Sequence, residues 1–328
     1  MQIGILGAGW AGSTHAEAYV TMPDVEIAGI VGRREAKVQE LAGALDVPGF
    51  TDPWRILDDE TVDAIDVCYP TFIHREYVIA ALGRGKHVFC ETPIALTLED
   101  VDAMIAAAHS SGKLLLVAQV MRFVDAYVYI RDTVRSGELG KPQVVFASRL
   151  SSGRHRGRRP AAEFGEPVVE LMIHDFDYLN WLVGKPTAVR GTGFVGPTGE
   201  VDYALIALEH EGMYGQVEGS VLMPLSYPFS TGLRVVCEEG AVETSFRFYS
   251  VERPETVLTR YPMRGLTEEP EIPDEDPYWA ECRYFVDSVE GRVDPGRISA
   301  EAAREGLEVA LAAKASLEQG GDRVVLGS

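Results

Sequence analysis

Short apolar runs alternate with amphipathic stretches through roughly the first third of the chain. The runs that indicate buried strands cover residues 3–6, 25–31, 47–50, 64–68, 87–90 and 114–120. The stretches that indicate helices end near residue 21, cover 35–44 and 74–84, and begin again after Thr97, whose side chain we expect to cap the helix with Asp100 as its partner. Strands that alternate with helices predict parallel βαβ units and a doubly wound α/β sheet.

Several of these predicted strands are followed by residues that could bind a ligand or take part in catalysis. The segments at the strand ends are Gly7 to Gly12, Gly32 to Arg34, Tyr69-Pro70-Thr71, Glu91 to Pro93, and Gln119 to Arg122. Open parallel sheets bind their ligands at the carboxyl ends of the strands. We therefore expect Tyr69, Pro70, Thr71 and Glu91 to lie near a cofactor, and Arg122 to be a candidate substrate contact.

The pattern changes from about residue 144, where longer strands follow one another with turn residues between them. These predicted strands cover residues 144–150, 186–195, 201–209, 214–222 and 233–237. Consecutive strands favour an open, mainly antiparallel sheet, so the second part of the chain is predicted to be an α+β domain. A helix at 168–183 interrupts the strands, and 267–277 is a predicted loop.

This change divides the chain into an N-terminal Rossmann domain, 1–122, and a C-terminal α+β domain, 123–328. Two predicted helices, 276–290 and 299–319, close the fold. We expect these last helices to pack back on the first domain.

The turn after the first strand has the glycine spacing of a dinucleotide site. Gly7, Gly9 and Gly12 stand in G-x-G-x-x-G order, with Trp10 and Ala11 between the last two. The first glycine allows the tight turn, the second lets a pyrophosphate approach the backbone, and the third lets helix and strand pack closely. The amides at the helix start then hold the diphosphate. A purely structural turn is the alternative, and the strand–turn–helix context favours dinucleotide binding.

The end of the second strand bears on the choice of cofactor. NAD sites usually place an Asp or Glu about twenty residues beyond the glycine turn, where it binds the ribose hydroxyl. This chain has Gly32-Arg33-Arg34 there, and guanidinium groups pair well with a 2′-phosphate. NADP(H) is therefore favoured over NAD(H). The alternative is that both arginines face solvent on the next helix and either cofactor is used.

The predicted helix 168–183 presents two stripes. One is apolar and comprises Met172, Phe176, Leu179 and Val183; the other comprises Glu170, His174, Asp177 and Trp181. His174 thus has a carboxylate one turn away on either side, which suits a general base for an alcohol proton. A solvated polar face or a structural core histidine are the alternatives.

Composition and charge narrow the classes of function. The 328 residues have a formal net charge of -20, which argues against binding nucleic acid or an anionic membrane. The four cysteines are scattered without metal-binding spacing, so we predict reduced thiols and no metal site. No apolar run is long enough to cross a bilayer, and the first strand begins too early for a signal peptide. We expect a cytoplasmic protein.

One basic segment stands out in this acidic chain. It contains Arg149, Arg154, His155, Arg156, Arg158 and Arg159, and no acidic residue appears between Arg149 and Glu163. Arg154 and His155 are candidate contacts for an acidic group on the substrate. The segment is equally compatible with pairing to a neighbouring subunit or with a solvated loop.

Taken together, these segments resemble the Gfo/Idh/MocA family of sugar and cyclitol oxidoreductases along nearly the whole chain. The similar segments are 7–15, with its trailing His15, 67–74, which ends in His74, 85–96, 173–179 and 312–321. The resemblance implies reversible hydride transfer between a ring carbinol and a nicotinamide. It also implies a substrate site on the second domain's open sheet, His74 in the cofactor site, and assembly into a homodimer or homotetramer.

The resemblance also assigns catalytic roles and shows one departure from the family pattern. His174 matches the family's catalytic histidine, and Glu170 takes the place of an Asp that precedes it, with Asp177 as a second orienting group. The family's Glu-Lys-Pro lysine, which polarises the substrate oxygen, is Thr92 here. Threonine donates one neutral hydrogen bond and has no charge to stabilise an alkoxide.

Thr92 leaves three functional hypotheses open. The first is an ordinary NAD(P)-dependent dehydrogenase of a sugar, cyclitol or related polyol, in which His174 suffices. The second is a glycosidase, lyase or isomerase that keeps NAD(H) tightly bound and oxidises its substrate only transiently. The third is a non-catalytic sensor of dinucleotide or sugar, which the intact His174 segment disfavours.

Overall fold

The computed structural model describes residues 1–153, 166–197, 199–249 and 254–327. The chain divides into two compact units. The first comprises Met1–Phe123 and Glu275–Arg304, and the second comprises Val124–Asp274 and Glu305–Ser328. Among the described residues, no helix combines the length and the apolar character that crossing a bilayer requires.

Six short parallel strands form the sheet of the first unit. They are β1 (Gln2–Leu6), β2 (Glu26–Val31), β3 (Gly49–Phe50), β4 (Ala64–Val67), β5 (His87–Cys90) and β6 (Leu115–Val117). Their order is β3-β2-β1-β4-β5-β6, and every adjacent pair is parallel. This order reverses direction beside β1, as in doubly wound dinucleotide folds. The predicted parallel sheet is confirmed.

Four of the five α-helices of this region follow the predicted alternation. They are α1 (Trp10–Val20), α2 (Glu35–Leu45), α3 (Trp54–Leu57), α4 (His74–Leu82) and α5 (Leu98–Ser111). The Thr97 side chain accepts the Asp100 amide at 3.1 Å, so the predicted cap of α5 is confirmed. The sixth strand is shorter than predicted, because the chain turns into a 3-10 helix at Val120–Arg122.

An eight-stranded sheet forms the second unit. Its strands are β7 (Pro142–Leu150), β8 (Ala188–Val195), β9 (Val201–His210), β10 (Met213–Ser220), β11 (Phe229–Cys237), β12 (Gly240–Phe248), β13 (Pro254–Pro262) and β14 (Val324–Val325). Their order is β13-β12-β11-β7-β10-β9-β8-β14. All pairs are antiparallel except the central pair of β7 and β10. The predicted mainly antiparallel sheet is confirmed.

Three helices of the second unit are α6 (Asp125–Ser136), α7 (Pro167–Glu170) and α8 (Ile173–Val183). The sequence pattern did not predict α3, α6, β12, β13 or β14. β12 and β13 lie at an edge of the sheet and are partly exposed, so they lack the continuous apolar pattern of a buried strand.

Two long helices end the fold, α9 (Pro277–Val289) and α10 (Ala300–Glu318). Within the first unit, α9 packs against α1, and Phe285 stacks on Phe89 of β5 with 5.0 Å between ring centroids. This contact joins the buried cluster that also contains Ile3, Ile5 and Cys282. The predicted loop before α9 is present, since 269–276 contains no helix or strand.

Candidate functional site

The glycine turn after β1 has the geometry that phosphate binding needs. Gly7 adopts φ +144°, and a Cβ there would lie 2.5 Å from the Cys68 carbonyl oxygen. A Cβ on Gly12 would lie 2.0 Å from the Gly7 carbonyl oxygen, so the turn closes only with glycine at that position. A Cβ on Gly9 would meet nothing within 4 Å, which leaves open space above the backbone where a pyrophosphate would approach.

Helix α1 begins at this turn, with Gly9 as its N-cap. The first amides of a helix, here those of Trp10, Ala11 and Gly12, have no partner inside the helix and favour an anion. The Trp10 side chain is 68% exposed and stands edge-on to Tyr278, with 5.3 Å between their ring centroids. The residues at this end of α1 therefore fit the diphosphate of a dinucleotide.

The two arginines after β2 are exposed at the start of α2. Arg34 is the N-cap of that helix, and its side chain makes no capping hydrogen bond. Because both arginines are exposed, neither side chain packs in the core. Burial and the neighbouring Tyr77 raise the pKa of Tyr69, and the charge of Arg33 opposes this shift. Arg33 and Tyr69 thus interact electrostatically, which is consistent with their positions after two strands of the same parallel sheet.

His74, which the family resemblance places in the cofactor site, is a buried residue that contacts the backbone. It is 1% exposed, and its Nε2 lies 2.7 Å from the Tyr69 carbonyl while Nδ1 lies 3.2 Å from the Ile94 carbonyl. Burial lowers the pKa of His74, so the ring is neutral and has one N–H, which the shorter contact assigns to Nε2. His74 therefore fixes the backbone that leads into Pro70 and Thr71.

The segment after β5 holds the residues that take the place of Glu-Lys-Pro. Glu91 and Thr92 are half-buried, and the Thr92 amide donates to Glu91 Oε2 at 2.9 Å. The peptide bond between Thr92 and Pro93 is cis. The side chain of Glu91 thus accepts a hydrogen bond from the backbone amide of Thr92, the residue that replaces the family's lysine.

The predicted helix 168–183 is wrong as a single helix. The Met172 amide bonds to the Pro167 carbonyl, five residues back, and α8 starts anew at Ile173. A Cβ on Gly219 would lie 2.4 Å from Met172 Cγ and Sδ, so Met172 packs tightly on β10 at the break. Glu170 consequently lies on α7 and His174 on α8, so the two residues do not belong to one continuous helix as predicted.

Within α8, His174 is half-buried and Asp177 is 5% exposed. The alternative of a solvated polar face is therefore excluded for Asp177. His174 and Asp177 remain three residues apart on one helix, where side chains are neighbours.

A buried ion pair that the sequence analysis missed anchors the start of α8. Arg149 Nε donates to Asp175 Oδ2 at 2.8 Å, and its Nη2 donates to Oδ1 at 3.1 Å. The side chains are 5% and 1% exposed. Arg149 therefore has a structural role of its own, separate from the substrate contact, subunit contact or solvated loop considered for the basic segment. Its alternation with Val145 and Ala147 on the inner face of β7 was the signal that could have shown this.

Arg122, Arg154 and His155 are the remaining predicted substrate contacts. Arg122 is 2% exposed, and its guanidinium donates to the Arg297 carbonyl. Arg154 and His155, with the rest of the basic segment to 159, lie outside the described residues. All four cysteines are free thiols, as predicted; Cys68 is half-buried and the other three are buried.

Comparison with known proteins supports the family resemblance. Residues 1–119 match a model of the oxidoreductase family with an NAD-binding Rossmann fold, and residues 127–243 match the GFO/IDH/MocA C-terminal domain. The chain is 29% identical to a myo-inositol 2-dehydrogenase of Thermotoga maritima, over 97% of both chains. It is 30% identical to a scyllo-inositol 2-dehydrogenase (NAD(+)) of Bacillus subtilis, over 73% of this chain and 72% of that protein.

A solved structure shows the same fold. The crystal structure of a probable dehydrogenase from Thermotoga maritima superposes with a TM-score of 0.83 and 27% identity, covering 99% of this chain and 98% of that one. Both units of the chain thus have a counterpart in one known protein.

Proposed function

The chain belongs to the GFO/IDH/MocA family of oxidoreductases, and on that premise we propose that it oxidises a ring hydroxyl of an inositol or a related sugar with a nicotinamide dinucleotide. The observation that carries this proposal is the similarity to a myo-inositol 2-dehydrogenase over 97% of both chains. The names of the relatives favour a dehydrogenase over a glycosidase, lyase, isomerase or sensor.

The first unit supplies the cofactor site in this proposal. Gly7, Gly9 and Gly12 and the start of α1 hold the diphosphate, for which the open space above Gly9 is the structural support. When bound, the nicotinamide accepts or returns a hydride. The exposed arginines Arg33 and Arg34 favour NADP(H) over NAD(H) in this chain, although the Bacillus relative is named for NAD(+).

The second unit supplies the proton acceptor. His174 takes the proton of the substrate hydroxyl, and Asp177, on the same helix, orients the ring. Glu170 remains a candidate orienting group from α7. Thr92, which belongs to the first unit, donates a neutral hydrogen bond from its hydroxyl in place of the family's lysine. The pair of Arg149 and Asp175 holds the start of α8, next to His174.

Other proposed features rest on the sequence. Arg122, Arg154 and His155 are the proposed substrate contacts, with Arg122 acting from a buried position. Assembly into a homodimer or homotetramer, a cytoplasmic location, and the boundary between domains at 122 and 123 stay predictions.

Fluorescence titration of the purified protein with NADPH and NADH tests the cofactor part. Turnover with a panel of inositols, aldoses and polyols, with NAD+ or NADP+ added, tests the substrate part. We expect tighter binding of NADPH and reduction of the dinucleotide by at least one cyclitol or sugar. Binding of neither dinucleotide would overturn the proposal. Turnover after dialysis that needs no added dinucleotide would favour transient oxidation instead.

A further inference from the structure

A buried polar cluster lies within the first unit, next to the glycine turn, and the proposed chemistry does not use it. His15 on α1 is its centre and is 0% exposed. Its Nδ1 atom lies 2.9 Å from Asp66 Oδ2 and 3.6 Å from Cys68 Sγ. Its Nε2 atom lies 3.5 Å from Glu91 Oε1 and 3.6 Å from Glu281 Oε1. One imidazole therefore meets β4, the segment after β5, and α9.

The acidic groups around His15 keep its ring charged. Burial alone lowers the pKa of His15, whereas the groups around the ring raise it well above its ordinary value. Burial raises the pKa of the Cys68 and Cys282 thiols, so at neutral pH Asp66, which also holds the Nδ1 hydrogen bond, is the group that favours the protonated ring. An imidazolium donates from both nitrogens. His15 therefore has a second proton to direct away from Asp66.

Two carboxyl groups face the Nε2 atom of His15, and they differ in burial. Glu281 is 1% exposed, and its burial raises the pKa of this carboxyl to about 7. The Glu91 side chain is 18% exposed and stands at the edge of the cluster. His15 Nε2 makes no hydrogen bond to the described residues, and Glu91 Oε1 is the nearer of the two carboxyl oxygens that face it, at 3.5 Å against 3.6 Å for Glu281 Oε1. Phe89, stacked on the ring at 5.5 Å, keeps water from that face.

Glu91 connects the cluster to the backbone of Thr92. Its Oε1 atom faces His15, and its Oε2 atom accepts the Thr92 amide at 2.9 Å. A continuous series of polar contacts thus runs from Asp66 through His15 and Glu91 to the Thr92 amide.

We propose that His15 is a positioning residue for the dehydrogenase reaction, and that its ring, fixed by Asp66, holds the turn Glu91-Thr92-Pro93 in place through its contact with the Glu91 carboxyl group. The inference rests on the proposed function, because that function places Thr92 at the reacting centre. A short, neutral hydroxyl has less reach than a lysine, so its effect depends on where the backbone holds it. Misplacement by about 1 Å costs about 10²-fold in rate.

The test compares His15→Gln, Glu91→Gln and the double variant in the full-length protein. His15→Gln keeps a hydrogen-bond donor and removes the charge. We expect it to lower kcat for inositol oxidation by about 10- to 100-fold while the dinucleotide Kd stays near that of the wild type. Hydrogen–deuterium exchange of peptides containing Thr92 should become faster. The double variant should be little worse than either single variant, because both break one series of contacts.

His109→Gln is the matched control, since His109 lies on α5 in the same unit and its side chain is 73% exposed. It should behave as the wild type. If His15→Gln weakens dinucleotide binding and leaves kcat unchanged, His15 supports the glycine turn and the proposal is wrong. Fully additive losses in the double variant overturn it as well.

Two further outcomes are distinguishable. Should His15→Gln fail to fold, Glu91→Gln decides alone: unchanged kcat and unchanged Thr92 exchange overturn the proposal, and loss of both supports it. If the wild type binds no dinucleotide and oxidises no polyol, the proposed function fails. The exchange of Thr92 in the variants still tests whether His15 holds the turn.

Discussion

The two sheets of this protein present their chemistry in opposite ways. The parallel sheet is covered on both faces, so its ligand groups lie at strand ends and are largely backbone, as at Gly7 and Gly9. The mainly antiparallel sheet has buried and exposed residues in alternation, and β7 directs Arg149 from its inner face toward Asp175 of α8. A site made of backbone appears in the sequence as glycine spacing. A site made of paired side chains from distant segments does not.

The largest expected effect concerns the side-chain site. His174→Gln should lower kcat by about 10²- to 10⁴-fold, because it removes the proposed general base. The dinucleotide Kd should stay unchanged, since the glycine turn belongs to the other unit. Steady-state kinetics with an inositol and fluorescence titration measure the two quantities. An unchanged kcat would make His174 structural and erase the contrast between the sheets.

The buried pair of Arg149 and Asp175, which holds the start of α8, gives the second-largest expected effect, a loss of stability. Asp175→Asn leaves Arg149 buried without this carboxylate, so the free energy of unfolding should fall by about 3–5 kcal/mol. Urea unfolding measures it. The control is Asp58→Asn, which breaks an exposed pair with Arg84, whose side chains are 61% and 37% exposed; it should cost less than about 1 kcal/mol. Equal losses in both variants would show that the buried pair has no special role.

The cluster of the first unit predicts a pH effect on stability. Glu281 has a pKa of about 7 in the folded protein against an ordinary 4.5, so the folded state binds the proton more tightly. The stability that this group contributes is fully present below pH 4.5 and is lost as the pH rises through 7. Glutamine does not titrate. The unfolding free energy of Glu281→Gln relative to wild type should therefore rise by about 3 kcal/mol over that range.

Urea unfolding at pH 4.5, 6 and 7.5 provides this comparison. The groups that face Glu281 and His15 from the neighbouring elements, Asp66, Cys68, Glu91, Cys282 and Tyr19, are the same in both proteins. A difference that does not vary with pH would show that folding leaves the pKa of Glu281 unchanged.

The smallest effect concerns the strand end after β2. Arg33→Ala with Arg34→Ala should weaken NADPH binding relative to NADH by about tenfold, equivalent to about 1.4 kcal/mol. Both arginines are exposed, so the fold should be unaffected. Lys37→Ala, which removes an exposed charge from the same helix, is the control. If the NADPH to NADH ratio does not change, the preference for NADP(H) is wrong.

The first unit was predictable to within a few residues at most of its boundaries. β5 begins and ends as predicted, at His87 and Cys90, because four apolar or amphipathic residues between turn signals suffice for a strand buried on both faces. The second unit was harder. The stretch 168–183 has a helical period throughout, yet it breaks at Met172, where a methionine packs on a glycine of a strand about fifty residues later.

The sequence by itself determined the alternation of strands and helices in the first unit, the mainly antiparallel character of the second sheet, and the glycine turn after β1, since these depend on periodicity and local backbone conformation. Only the tertiary structure decided which acidic residues surround His15, that Arg149 pairs with Asp175, and that His74 donates to the Tyr69 carbonyl. The physical reason is that a buried charged or polar group is stable only when it is paired, and its partner is the group that the fold brings within reach. Those partners come from segments that share no local pattern.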